Sequence, residues 1–197
     1  NRGALRVRGD HFAVATPVFD NEQGEVLSAA EDVTFQSATL NTREGEFRMV
    51  SEGTTVFENE EFRGANGTIA TSGSLELRGD DQPELAGATL TAMGDISINA
   101  GQRLTLDDTT IQSGKKAALQ APDIELDTTS LLRAAQEVRL DAPTLKGFRD
   151  GKLKTPLLSL DTSGDLRFEN DWSRAGALSL TTNGDVKFVD STIKATG

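Results

Sequence analysis

The feature that most constrains this chain is a pattern that returns about every 21 residues, a period typical of repeat architectures. Short runs of the form apolar–x–apolar recur at this nearly constant spacing. One series consists of Leu75/Leu77, Ile96/Ile98, Ala117/Leu119, Val138/Leu140, Leu158/Leu160 and Leu178/Leu180. A second series consists of Leu104/Leu106, Ile124/Leu126, Leu145 with Gly147, Leu166/Phe168 and Val186/Phe188. In such architectures each repeat stacks on its neighbours.

A third series completes the period with pairs in which the second residue is apolar. Its members are Thr68-Ile69, Thr89-Leu90, Thr110-Ile111, Ser130-Leu131, Lys152-Leu153, Asp171-Trp172 and Thr192-Ile193. Between the first two series the chain turns through Gly- and Asn-containing segments such as NAGQR, or through proline in QAPD and DAPT. These residues supply the backbone angles that corners require. Each period therefore holds three short strands.

Strands that match at a fixed separation favour a coil over a hairpin sheet. In a coil, each residue lies beside its equivalent one turn later, at the inter-strand spacing of about 4.8 Å. Alternate residues of each strand face the interior, where leucine stacks on leucine. The prediction is an all-β, right-handed parallel β-helix with three strands per coil and about nine coils. Its open ends would expose unpaired strand edges, so we expect further coils to continue on both sides in the intact protein.

We expect one continuous solenoid domain with two parts. Residues 73–197 form the regular repeats, and residues 1–72 form less regular coils. In the first part, GEVLSA, EDVTFQS and ATLNT make one period from Gly24 to Thr42. The runs GEFRMVS, TTVFENEEF and GTIATS make another, longer period from Gly45 to Ser72, with the extra length near residues 57–62.

Composition excludes several classes of function. A formal net charge of −11 argues against a nucleic-acid-binding protein, which normally carries a basic surface. With no cysteine, the chain has neither disulfides nor thiolate metal sites. No apolar run approaches the roughly 20 residues of a transmembrane helix, and the start of the chain lacks the apolar stretch of a signal peptide. The single histidine, His11, is interpreted as a solvated residue.

The run from Gly94 to Ala142 (GDISINAGQRLTLDDTTIQSGKKAALQAPDIELDTTSLLRAAQEVRLDA) resembles the repeats of filamentous haemagglutinin-like exoproteins of bacterial two-partner secretion. That group includes adhesins and the toxin-delivery proteins of contact-dependent growth inhibition. The resemblance covers residues 73–197 well and residues 1–72 loosely. The Asn-Pro motifs of the family's secretion domain are absent, which fits an internal segment of the filament.

The resemblance implies a secreted or cell-surface protein and two partners. One is the outer-membrane two-partner secretion transporter used during export. The other is a protein or glycan receptor on a target bacterium or host cell. The expected function is that of a monomeric, rigid rod that mediates adhesion or positions a distal toxin. An inert spacer without a ligand is an alternative.

Two irregular places are candidates for partner binding, because insertions in repeat proteins often lie on the binding face. The first is the lengthened coil, with Phe57, Glu58, Asn59, Glu60, Glu61 and Phe62. The second is the run KGFRDGKLK, with Lys146 and Phe148. The aromatic residues of both, like Phe12, Phe19 and Trp172, can equally fill a wider core.

Charged positions provide a further candidate. At outward positions of the second series, Lys146, Arg167 and Lys187 are predicted to form a basic stripe that could meet an acidic glycan. Beside it, Asp165 and Asp185 are expected one coil apart, and pairing of these acids with the stripe into a solvated charge ladder is the favoured interpretation. The tripeptide Arg-Gly-Asp occurs at residues 8–10 and 78–80. Both copies directly follow a strand-like run, where Gly-Asp makes the corner, so corner geometry is favoured over integrin binding.

A β-helical polysaccharide-degrading enzyme or a glycan-binding module is the alternative from another class. Catalysis on a glycan needs clustered carboxylates beside the scissile bond. The outward positions of the first series are mostly small and uncharged: Glu76, Ser97, Ala118, Arg139, Ser159 and Ser179. We therefore expect no enzyme activity, no catalytic or metal-binding residues and no cofactor.

Overall fold

The computed structural model describes residues 3–50, 52–127, 129–146, 153–162, 166–169, 172–190 and 192–195. Within these ranges the chain forms strands and turns but no helix. The strands are β1 (Ala4–Val7), β2 (His11–Ala15), β3 (Val18–Asp20), β4 (Glu25–Ser28), β5 (Asp32–Asn41), β6 (Glu46–Met49), β7 (Thr54–Arg63), β8 (Thr68–Thr71), β9 (Ser74–Gly79), β10 (Thr89–Ala92), β11 (Ile96–Ala100), β12 (Leu104–Leu106), β13 (Thr110–Ser113), β14 (Lys116–Gln120), β15 (Asp123–Leu126), β16 (Leu131–Ala134), β17 (Glu137–Asp141), β18 (Thr144–Lys146), β19 (Leu153–Thr162), β20 (Leu166–Glu169), β21 (Trp172–Thr182), β22 (Val186–Val189) and β23 (Thr192–Ala195).

The strands stack as a parallel β-solenoid of about seven turns. Ile96 in β11 is aligned with Leu75 of β9 on one side and with Ala117 of β14 on the other, so it pairs with its own equivalents. Likewise, Leu104 of β12 pairs with Ile124 of β15. The prediction that the chain coils with a nearly constant period is confirmed, and the hairpin alternative is wrong.

We name three flanks of the solenoid by the strands that pair along them. Flank A contains β1, β4, β6, β8, β10, β13, β16, the beginnings of β19 and β21, and β23. Flank B contains β2, the beginnings of β5 and β7, β9, β11, β14, β17, and the later parts of β19 and β21. Flank C contains β3, the ends of β5 and β7, β12, β15, β18, β20 and β22.

Some strands run through a corner without a break. β5 and β7, with 10 residues each, continue from flank B into flank C. β19 and β21 continue instead from flank A into flank B. The number of separate strands in a turn is therefore not constant along the rod, in contrast to the uniform repeat that the sequence suggested.

The register differs from the predicted columns at three places. Leu132, rather than Leu131, is aligned with Ile111. Ser173, rather than Trp172, is aligned with Ile193. Leu145 is aligned with Phe168 and not with Leu166. Matching residue types by sequence alone misplaced these residues, because the lengths of the intervening corners vary.

The core is a continuous column of inward side chains. In the middle of the rod it consists of aliphatic ladders such as Leu75, Ile96, Ala117 and Val138, all at most 1% exposed. Near the N-terminal end phenylalanines replace them. Phe35 and Phe57 stack with their ring centroids 5.1 Å apart and their planes 7° apart.

Two phenylalanines that lie outside the main series of the sequence join this aromatic cluster. The ring centroid of Phe12 lies 5.6 Å from that of Phe35, and the ring centroid of Phe19 lies 5.0 Å from it. Both contacts have edge-on geometry, which is favourable for aromatic pairs. Phe12 and Phe19 therefore contribute to the core, as the alternative interpretation held.

Candidate functional site

The segment 57–62 is part of a regular strand. Through β7 it pairs in parallel with β5 and with β9. Phe57 is fully buried and Phe62 is 6% exposed, so neither aromatic ring is accessible to a partner. β7 has the same 10 residues as β5 and pairs with it at a constant offset through the bend, so the segment carries no insertion relative to the turn before it.

The polar residues of the same segment have different surroundings. Glu58 and Glu60 are exposed. Glu61 accepts two hydrogen bonds from the guanidinium of Arg63, at 2.7 and 2.8 Å, and the bond to this cation lowers the pKa of Glu61. Within the segment, the carboxylates of Glu58 and Glu60 are therefore the ones accessible to a partner.

Asn59 is 5% exposed and occupies an inward position at the bend. Its Nδ2 atom donates a 2.7 Å hydrogen bond to Ser37 Oγ, one turn below. Its Oδ1 atom has no partner among the described residues. The aligned position one turn above is Gly79, which has no side chain to donate a bond. A small cavity of about 10 Å³ adjoins Asn59 and Gly79, close to the minimum for one water molecule.

A concave recess of about 590 Å³ lies outside this bend. Its lining includes Glu58, Glu60, Arg78, Gly79 and Asp80. It thus brings together the predicted segment 57–62 and the second Arg-Gly-Asp tripeptide, which are distant in the sequence.

The Arg-Gly-Asp tripeptide at residues 78–80 does not present a free guanidinium. Arg78 donates to Glu76, with nitrogen–oxygen distances of 2.9 and 2.8 Å. A Cβ atom at Gly79 would lie 3.1 Å from the backbone oxygen of Asn59, so the glycine permits close stacking of the turns. In the first copy, Arg8 and Asp10 are exposed at the corner between β1 and β2.

The predicted basic stripe on flank C does not form one column. Lys146 is aligned with Glu125 and Glu169, whereas Arg167 is aligned with Thr144 and Lys187. The step from β18 to β20 is longer than the pattern implied, which moves Arg167 out of line with Lys146. Phe148 and Asp165 lie outside the described residues, and Lys187 and Asp185 are exposed.

Flank B carries a second recess, of about 320 Å³, on the outward face of β9, β11, β14 and β17. Small side chains such as Ser97 and Ala118 lie between longer polar ones. At the beginning of β17, Glu137 accepts a 2.6 Å hydrogen bond from Ser159 and forms an ion pair with Lys116 at 3.0 Å. These bonds, with that from Ser159 first, lower the pKa of Glu137 and hold it as an anion.

Sequence reasoning missed a column of cationic residues on flank A. Arg133 of β16 is aligned with Lys154 of β19, Lys154 with Arg174 of β21, and Arg174 with Lys194 of β23. Each member follows the previous one by about one period, so the spacing itself was visible in the sequence. The third series as read from the sequence did not reveal it, because that series included Leu131 and Trp172 where Leu132 and Ser173 are aligned.

The described residues contain no group of three or more His, Asp or Glu side chains arranged to hold a metal ion. Nor does any helix long and apolar enough to cross a membrane occur in the described ranges. No family model matches the chain, and no curated protein or solved structure was found to match it.

Proposed function

We propose that this chain is an internal segment of a large secreted filament on the bacterial surface. In this proposal it belongs to a filamentous haemagglutinin-like exoprotein exported by an outer-membrane two-partner secretion transporter. It acts without enzymatic activity, as a rigid shaft that contacts a target-cell receptor or positions a distal toxin. The coil of the proposed shaft is right-handed, the hand expected of parallel strands joined by crossovers.

The observation that carries the proposal is the stacking of equivalent residues along one axis. Threonines 68, 89 and 110 are aligned on flank A, and Leu75, Ile96 and Ala117 on flank B. A stack in which each turn contacts only its neighbours grows in one dimension, which suits a protein that must reach away from a cell. The repeats resembling the family lie within this stack.

The acidic residues at the surface of the stack support a structural role over hydrolysis of a glycan. Glu61 and Glu137 are held by cations, and Asp127 accepts hydrogen bonds from Thr129 and Ser130 at a corner. Carboxylates engaged in this way hold corners and turns together. A glycosidase would need two carboxylates facing one groove at a defined separation. Glu58, Glu60 and Asp80 line the recess outside the bend of β7, so that recess is where the enzyme alternative would be tested.

An antibody raised against the purified segment tests the cellular location. We expect it to label intact cells of the source bacterium. Labelling that appears only after permeabilisation would contradict the proposal.

Adhesion assays with a strain in which residues 73–197 are deleted in frame test the role. Reduced attachment to target cells would support a shaft or binding function. Unchanged attachment and unchanged toxin delivery would identify the segment as an inert spacer.

A further inference from the structure

The recess on the outward face of flank B lies in the regular middle of the rod. It crosses four successive turns, since its lining comes from β9, β11, β14 and β17, which pair in parallel. Neighbouring turns are about 4.8 Å apart, so the recess extends about 14 Å along the rod axis. Its volume of about 320 Å³ lies at the lower end of the range of ligand pockets in proteins. The recess is therefore large enough for a short ligand that lies along the rod.

The shape of the recess follows from one outward column of side chains. Its aligned positions in the four turns are Glu76, Ser97, Ala118 and Arg139. Ser97 and Ala118 are the small members of this column, and they lie between two long charged side chains. A column that changes from long to short side chains and back again leaves a depression over its short members. Both small residues line the recess, so the depression lies over them.

A second outward column supplies hydrogen-bonding groups to the recess. Asn99 and Gln120 are aligned in adjacent turns, and both are exposed and line the recess. Amide side chains of stacked strands commonly bond to each other in a ladder. Within the described part of the chain, however, neither of these side-chain amides forms a hydrogen bond, and neither does the Ser97 hydroxyl. Two carboxamides and one hydroxyl, which can donate as well as accept, are thus available to a ligand.

The charges in the lining of the recess cancel. At one end, the guanidinium of Arg78 forms an ion pair with Glu76 at 2.8 Å. At the other end, β17 contributes one positive and one negative side chain, those of Arg139 and Asp141. The lining therefore has no net charge, although the whole chain carries −11. A matching ligand has many hydrogen-bonding groups and no net charge.

We propose that this recess binds a neutral glycan chain of the target-cell surface, which lies along the rod axis. The repeat of a chain of pyranose rings is close to the spacing of the turns, so successive sugars meet Asn99 and Gln120. Each carboxamide can donate to one hydroxyl group of a sugar and accept from its neighbour. An extended peptide is less favoured, because its rise of about 3.3 Å per residue is out of step with turns about 4.8 Å apart. The inference rests on the proposed function and assigns the receptor class and the site.

The probes are di- to hexasaccharides of three neutral series, built from glucose, galactose or mannose. We expect the purified segment to bind at least one series in calorimetry, with an affinity that rises up to about four sugars, one for each turn, and then levels off. Because the ligand is uncharged, the affinity should not change with added salt. Oligogalacturonates, which carry a carboxylate on each ring, should bind more weakly than that neutral series.

The decisive variant combines Asn99→Ala with Gln120→Ala and removes both amides. Its affinity for the bound series should fall about tenfold or more, since the hydrogen bonds of two side chains are lost together. The matched control combines Gln112→Ala with Gln136→Ala, which removes two amides outside the lining of the recess. Its affinity should stay within about twofold, since residues without shared contacts act independently. A third variant, Ala118→Leu, keeps both amides but fills the depression, and it should also lose binding.

Several outcomes would overturn the inference. They are equal losses in both double variants, tighter binding of a glycine–serine peptide than of the sugars, and no binding of any neutral series. Unchanged binding by Ala118→Leu would overturn it as well. If the double variant without Asn99 and Gln120 loses its β-sheet circular dichroism, Ala118→Leu decides.

The antibody experiment separates this inference from the proposed function. Surface labelling of cells combined with absent glycan binding would refute this site while leaving the proposed function intact. Glycan binding by the purified segment without surface labelling would support the site and contradict the proposed function.

Discussion

Single residues at one corner show how the stack imposes conformation on the sequence. Gln23, Glu44, Asn66, Gly87 and Asp108 occupy this corner in successive turns, and all have positive φ, between 49° and 70°. Glycine, asparagine and aspartate adopt this left-handed region readily, whereas glutamine and glutamate do not. Backbone N–H groups at this corner donate to the next turn, as from Glu44 to Ala65 at 3.1 Å, and these bonds hold the strained angle.

Glu44→Gly should therefore stabilise the protein. Relief of the positive φ of 54° favours the variant by up to about 1 kcal/mol. Loss of the exposed 2.9 Å bond from Gln23 to Glu44 offsets part of this gain. Urea unfolding measures the difference. The control Glu46→Gly, within β6, should destabilise by about 0.5–1 kcal/mol; destabilisation in both variants would contradict the explanation.

The surroundings of Asp127 make the stability of the folded state depend on pH. Burial raises its pKa, but hydrogen bonds from Ser130, Thr129 and the backbone outweigh burial and lower the pKa from 3.8 to about 2. The folded state thus favours the carboxylate. This stabilisation is complete above the unfolded-state pKa and is lost as the pH falls through about 2.

The unfolding free energies of the wild type and Asp127→Ala should differ by about 1 kcal/mol at pH 7, after allowance for partial exposure. The difference should shrink between about pH 4 and about pH 2. The variant Ser130→Ala, which removes a donor to the carboxylate, should show a reduced pH dependence. A wild-type advantage that is equally large at both ends of this range would show that the hydrogen bonds to the carboxylate are not responsible.

At the scale of the element, the side chains of β7 alternate between the core and the surface up to the bend at Glu60 and Glu61. Phe57 is fully buried, and its neighbour Glu58 is exposed. Since the Phe57 ring stacks on Phe35 and its centroid lies 5.3 Å from that of Phe47, removal of the ring would leave a cavity within the cluster.

We expect Phe57→Ala to lower the unfolding free energy by about 3–5 kcal/mol, as is typical of large buried aromatics. Glu58→Ala, at the next position, should change it by less than about 0.5 kcal/mol. Chemical denaturation of both variants tests this. Similar effects of the two substitutions would mean that the segment does not alternate between core and surface.

At the scale of the whole molecule, we expect that one complete turn can be deleted without loss of the fold. Deletion of positions 94–114 takes out one full turn and brings Leu75 of β9 next to Ala117 of β14, which occupies the same inward column. We expect this variant to fold, with a β-sheet circular dichroism spectrum and a cooperative thermal transition. Each turn contacts mainly its neighbours, so a shorter rod keeps its remaining interfaces.

Deletion of positions 94–103 is the control. It removes about half a turn and brings flank C residues to flank B, so apolar side chains lose their inward columns. This variant should be poorly folded. Equal folding of both deletions would contradict a register set by the period.

The C-terminal turns of the described stack differ from its middle. Leu178, Leu180, Val186 and Phe188 lie in the inward columns, yet they are 36–50% exposed. The equivalent positions in central turns, such as Ile96 and Leu104, are at most 1% exposed. Burial of a solenoid core thus depends on turns on both sides, which is the physical reason that one period cannot fold alone.

The sequence by itself determined the period, the three series of strands and most of the inward apolar positions, because side chains of equivalent residues must stack in a parallel coil. Only the tertiary structure decided the register of Leu132, Phe168 and Ser173. The corners before these residues differ in length, and the spacing of apolar residues in the sequence does not show how many residues each corner contains. It also decided the surroundings of the segment 57–62, where a continuous bend in β7 turns both phenylalanines into the core. The cation column depends on both: the spacing lies in the sequence, but the pairing of β16, β19, β21 and β23 brings its members together.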